Sequence, residues 1–296
     1  MRWQRRGRSE NLEDRRARRG GSSRGRLPIP LPRGRGGKLS LGTLVAVAGV
    51  MWLLGLDPTQ LLLGGAGLRV GVEPGGVGAG PSEPFQASPE EEKLVDFVSF
   101  VLDDVQTTWQ KLLPGYRDAK LVLFRGATRS ACGTGQAEMG PFYYPGDQKV
   151  YIDLSFYNEL RARFGAPGDF AQAYVLAHEI GHHIQRLTGI EERVRRGQRA
   201  NRARANELSV AMELQADCLA GVWGAAAAQR GVLESGDIEE GLRAAAAIGD
   251  DRIQQMSGRG VHPESFTHGS SAQRVQALRR GLERASPDAC DTFAGF

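Results

Sequence analysis

Histidine and cysteine are scarce in this chain, five and three among 296 residues. Cys132, Cys218 and Cys290 are an odd number, so they cannot all pair, and the fold is not a disulfide framework. Acidic residues are nearly missing from the first 38 positions, which hold 13 Lys/Arg against three Asp/Glu, while the remainder holds 25 against 31. The pI of about 9.1 therefore belongs to the leading segment. No internal repeat is present, which argues against a repeat architecture. No small-residue cleavage site follows a short apolar core, which excludes an ordinary secretory signal peptide.

One long apolar run stands out. Leu39–Leu56 is 18 residues without a charge, just long enough to span a bilayer, with Trp52 as an interfacial anchor. A basic flank ahead of a single span keeps the N-terminus inside and sends the rest out. The expected organisation is a basic cytoplasmic tail (1–38), a transmembrane helix (39–56), a Gly/Pro-rich linker (57–87) and a folded domain (88–296) outside the cytoplasmic membrane. An Arg-rich tail can also bind phosphates, but beside such a run it reads as a topology signal, and no nucleic-acid partner is expected.

Two of the five histidines carry the chemistry. His178-Glu179-Ile180-Gly181-His182 has the pattern H-E-x-x-H. On a helix, residues i and i+4 share a face, so both imidazoles reach one metal ion while Glu179 stays beside it as a general base. The flanking residues predict that helix, with Asp169 as N-cap and Gly189 as the stop. Gly181, costing about 1 kcal/mol in a helix interior, predicts another backbone passing close above, read as a strand with its bound peptide. A second helix, over Asn206–Trp223, carries Glu213 and Asp217 one turn apart in an apolar run. Buried carboxylates need partners. Glu213 as third ligand and Asp217 on the free ring nitrogen of His178 supply them; a wet helix face is the bland alternative. His183 points away from the site, His262 belongs to a surface loop, and Glu191–Arg204 is a solvated helix.

The H-E-x-x-H motif with the downstream glutamate resembles the zincin metallopeptidases. More closely, residues from about Gly140 to Phe296 resemble the bacterial neutral zinc metallopeptidase family. The match rests on Met139-Gly-Pro-Phe-Tyr, Gly168-Asp-Phe-Ala-Gln, Ala177-His-Glu-Ile-Gly-His-His, Glu213-Leu-Gln-Ala-Asp-Cys, Ile248-Gly-Asp-Asp-Arg and Ser265-Phe-Thr-His-Gly, with Met1-Arg-Trp-Gln at the start. The resemblance implies one zinc ion on His178, His182 and Glu213, with Glu179 as base. It also implies a Cys218–Cys290 pair with Cys132 free, because the family carries a further cysteine where this chain has Tyr144.

The expected reaction is peptide hydrolysis by a zinc-activated water. His268 is the expected oxyanion donor, with Tyr151 and Tyr174 as weaker candidates and helix capping as the bland role for His268. Two other readings compete: a catalytically silent zincin that binds a partner, and a zinc amidase or deacylase.

The fold class expected is α+β, zincin-like, mostly helical with a small sheet. Ser88-Pro-Glu-Glu-Glu starts a helix whose stripe runs from Leu94 to Trp109. Ala119–Arg125 reads as a strand. Gly140–Leu154 reads as a hairpin, with Val150–Leu154 as the edge that pairs with substrate. Helices follow over Asp237–Gln255 and Ser271–Arg284.

Overall fold

The computed structural model describes residues 1–5, 7–17, 86–130, 133–136, 140–162, 165, 168–258 and 260–294. The expected transmembrane segment 39–56, nearly all of the linker, and Cys132 lie outside these residues. Among the described residues no helix is long and apolar enough to cross a membrane.

Ser88 opens helix α1 (Pro89–Leu112), its hydroxyl accepting the Glu91 N–H at 3.1 Å. The stripe read from the sequence is the buried one, with Val98, Val101, Leu102, Val105 and Trp109 inside. A four-stranded sheet lies in the order β1 (Leu12–Asp14), β2 (Lys120–Phe124), β6 (Lys149–Asp153), β5 (Phe142–Tyr144). Only β5 runs antiparallel. Alternation sorts the side chains of β2 and β6: Leu121, Leu123, Val150 and Ile152 enter the main core, while Val122, Phe124 and Tyr151 form a second cluster with Phe142 and Tyr144. Between β2 and β5 the chain makes a separate hairpin, β3 (Ala127–Ser130) and β4 (Gly133–Gln136).

The sheet corrects one expectation. Residues 150–154 cannot offer a free edge, because β6 is paired on both sides, with β2 and with β5. Among the described residues the edge strand on this side is β5.

Helices make up the rest: α2 (Ser155–Ala162), α3 (Asp169–Leu187), α4 (Ile190–Ala200), α5 (Ala205–Gln229), α6 (Asp237–Ala247), α7 (Asp250–Met256) and α8 (Ser271–Arg284). The architecture is α+β, mostly helical with a small mixed sheet. The single helix expected over 237–255 is two, broken at Gly249. There the backbone is extended, and a Cβ would sit 2.3 Å from the Ser271 nitrogen.

The leading residues belong to the same compact unit as the helices. β1 pairs in parallel with β2, Leu12 opposite Leu121. Arg16 is buried and reaches Asp14, Glu91 and Glu92 at 2.6–2.9 Å. The Met1 amino group lies 2.8 Å from Asp169 and 3.2 Å from both Glu234 and Asp237. Asp169 is thus the first residue of α3 bound to this amino group, and Gly168 is the cap. Residues 1–17 are not a separate tail.

Candidate metal centre

Helices α3 and α5 cross at Gly181. A Cβ there would lie 2.9 Å from the Ala216 Cα, so only glycine permits this approach. The backbone predicted above Gly181 is that of α5, not a strand. One turn from Ala216, Glu213 faces both imidazoles: Oε2 is 3.2 Å from His178 Nε2, and Oε1 is 3.4 Å from His182 Nε2. A ligand atom from each of the three lies within 4.8 Å of the others. Two neutral nitrogens and one carboxylate, converging at this spacing, fit a tetrahedral zinc that keeps one position open.

The charges agree. Burial works against protonated imidazole at His178, but Asp217 and Glu213 outweigh it and raise its pKa to about 10. Burial likewise opposes ionisation of Glu213, yet the two histidines hold its pKa well below the usual carboxylate range. A pocket that favours positive charge this strongly also favours a divalent cation.

Asp217 lies behind His178. Its Oδ1 is 2.8 Å from His178 Nδ1, which leaves Nε2 for the ion. Sequence reasoning missed its other partners. Tyr174 donates its hydroxyl to Oδ1 at 2.5 Å, and Arg274 donates Nε to Oδ2 and Nη2 to Oδ1, each at 2.9 Å. Arg274 shares the buried stripe of α8 with Ala277, Leu278 and Gly281. A charge at the head of an otherwise small or apolar stripe was the available signal. The stripe packs so tightly on α5 that a Cβ on Gly281 would lie 1.9 Å from the Cys218 carbonyl.

Glu179 is buried and lines a cavity of about 500 Å³ together with His178, His182, Glu213, Tyr174 and His268. His268 is half exposed; its Nδ1 is 3.1 Å from Asp250, whose other oxygen accepts the backbone N–H groups of Thr267, His268 and Gly269. The hydrogen bond to Asp250 raises the His268 pKa, against some burial. Tyr174 lines the cavity, but its proton is committed to Asp217. Tyr151 is not in that lining; it stacks on Phe142 and donates to Asp147. His183 is fully buried between Tyr143 and the Arg117 carbonyl, and His262 is exposed beside Glu264, so neither joins the ligands. A second acidic cluster, Asp169, Asp237 and Glu240, faces the Met1 amino group through its two aspartates.

The sequence profile of the "putative neutral zinc metallopeptidase" family matches residues 1–293. The chain belongs to this family. It is 49% identical to the "Uncharacterized protein YpfJ" of Escherichia coli (strain K12) over 99% of both chains. It is 42% identical to the "Uncharacterized protein Rv2575" of Mycobacterium tuberculosis (strain ATCC 25618 / H37Rv), over 65% of this chain and 68% of that one. No solved structure matches. The expected disulfide is present: Cys218 and Cys290 are joined, their Cα atoms 5.5 Å apart.

Proposed function

We propose that this protein is a zinc-dependent metallopeptidase that hydrolyses peptide bonds in a protein or peptide substrate. The observation that carries the reading is the convergence of His178, His182 and Glu213 within 4.8 Å beside a buried glutamate that faces the same cavity. His178 and His182 through Nε2, with the Glu213 carboxylate, would hold one zinc ion. Zinc, when bound, supplies a Lewis acid that polarises the scissile carbonyl and makes water acidic near neutral pH.

The remaining steps belong to side chains. Glu179 accepts the proton of the attacking water and passes it to the leaving amine nitrogen. His268, held by Asp250 through Nδ1, donates to the oxygen on which negative charge develops. Asp217, Tyr174 and Arg274 fix the His178 ring. An acidic side chain in Glu179's position has no use in a pure binding module, which favours hydrolysis over the silent reading. The open edge of β5 reaches the same cavity through Phe142 and Tyr143 and offers a backbone ladder to an extended peptide.

Residues 39–56 remain the proposed membrane contact. A Cys218–Cys290 bridge fits an oxidising compartment.

The test is Glu179→Gln in the full chain, with zinc content and peptide-library digestion measured together. Zinc should stay stoichiometric while cleavage falls by at least ~100-fold. A wild type that binds zinc and releases only non-peptide acyl groups would favour the amidase reading.

A further inference from the structure

His178 has Asp217 behind it, but His182 has no carboxylate on its second nitrogen. Its Nδ1 faces the side-chain oxygen of Gln185 at 2.9 Å. Gln185 is fully buried, and its amide nitrogen donates to the Met212 carbonyl at 2.7 Å and to the Gln215 side-chain oxygen at 3.1 Å. Gln215, also buried, donates its own amide nitrogen to the Cys290 carbonyl at 3.0 Å.

Each link has one workable direction. The carbonyls of Met212 and Cys290 accept only. The Cys290 carbonyl requires the Gln215 amide nitrogen, which leaves Gln215's oxygen for Gln185. Gln185 must then present nitrogen to Gln215 and Met212, which leaves its oxygen for His182. An oxygen there makes Nδ1 the protonated nitrogen and frees the Nε2 lone pair toward Glu213 and the ion. Cys290 is in turn tied to Cys218, three residues beyond Gln215 on α5.

We propose that Gln185 and Gln215 are positioning residues that orient His182 for the metal, and that the Cys218–Cys290 bridge anchors the far end of this relay. The proposal rests on the zinc site described above. The two metal histidines are therefore oriented by different means: His178 by an ion network on α8, His182 by a neutral amide chain that ends at a disulfide. Opening the bridge releases the Cys290 carbonyl, and the loss passes to metal affinity before it reaches substrate.

Zinc affinity of the full chain, measured by competition with a chromophoric chelator, tests this. Gln185→Leu should weaken zinc binding about 10- to 100-fold, with helical content by circular dichroism unchanged. Gln185→Glu, which restores an acceptor at Nδ1, should bind more tightly than the leucine variant. Gln215→Leu and the paired change C218A/C290A should each weaken binding, and combining the paired change with Gln185→Leu should add little. A folded Gln185→Leu protein with wild-type affinity overturns the relay, as does a glutamate variant no better than leucine. Full affinity in C218A/C290A overturns the link to the bridge. If Gln185→Leu does not fold, wild-type affinity in Gln215→Leu overturns the proposal. A wild type that binds no zinc refutes the metal site itself, a different result from all of these.

Discussion

Arg274 grips Asp217 through both carboxylate oxygens, at 2.9 Å each, while the same carboxylate receives His178 Nδ1 at 2.8 Å. All three are buried. Removing one member of a buried ion pair leaves the other charge uncompensated, at a cost of about 3–5 kcal/mol. Arg274→Met should lower stability by about that amount in urea unfolding and weaken zinc binding. Asp217→Asn should lower stability by a similar amount, because it leaves the buried Arg274 guanidinium without its anion, and should also weaken zinc binding by loosening His178.

Gly181 sets the distance between the two metal helices. Alanine in its place gains about 1 kcal/mol of helix propensity, but its Cβ would meet the Ala216 Cα at 2.9 Å. Overpacking of this kind costs about 1–3 kcal/mol, so the net effect is a loss. Gly181→Ala should shift the urea midpoint downward, and zinc affinity should fall as Glu213 is pushed away from the imidazoles. An unchanged zinc dissociation constant would show that the crossing has slack.

The parts legible in the sequence are those with local periodicity. His178, Glu179 and His182 were readable because i, i+4 spacing fixes a shared face. Glu213 and Asp217 stood out because acids in an apolar helix demand partners. Arg274 was hidden because its partner is 57 positions away and its helix carries several other arginines. Gln185 and Gln215 carry no charge and look like surface amides. β1 is three residues long, too short to show alternation, and its basic surroundings read as a tail. The ion pairs of Arg16 with Glu91 and Glu92 join segments 75 and 76 residues apart, across a run with no local signal of return. Gly249 was visible, but the close approach of Ser271 that breaks the helix there was not.

The attachment of the leading segment should depend on acid. Burial resists ionisation of Asp14, but Arg16 and Arg8 outweigh it and lower its pKa from 3.8 to about 2. A carboxylate with a depressed folded pKa stabilises the fold fully above its unfolded value and loses that contribution as pH falls through the folded one. The ladder between β1 and β2 should therefore hold above about pH 4 and weaken between about pH 4 and 2. Amide exchange at Leu12–Asp14, followed across that range, is the measurement. Asp14→Asn should raise exchange there already at neutral pH and flatten the acid dependence.

The ladder also gives a test of the proposed membrane contact. Glu10 and Glu90 are both exposed and lie on opposite sides of the apolar run in sequence, yet on the same folded body. Cysteines placed singly at these two positions should react alike with a membrane-impermeant maleimide in intact cells, both labelled or both protected. A chain that crossed once would label one and spare the other, and β1 could then not pair with β2. Repeating the experiment with Leu12→Pro separates the two causes. Proline removes a backbone donor and disfavours the strand, so labelling that stays concordant in this variant would mean that the membrane arrangement does not depend on the ladder, whereas discordance appearing only there would show that β1 docking holds both segments on one side.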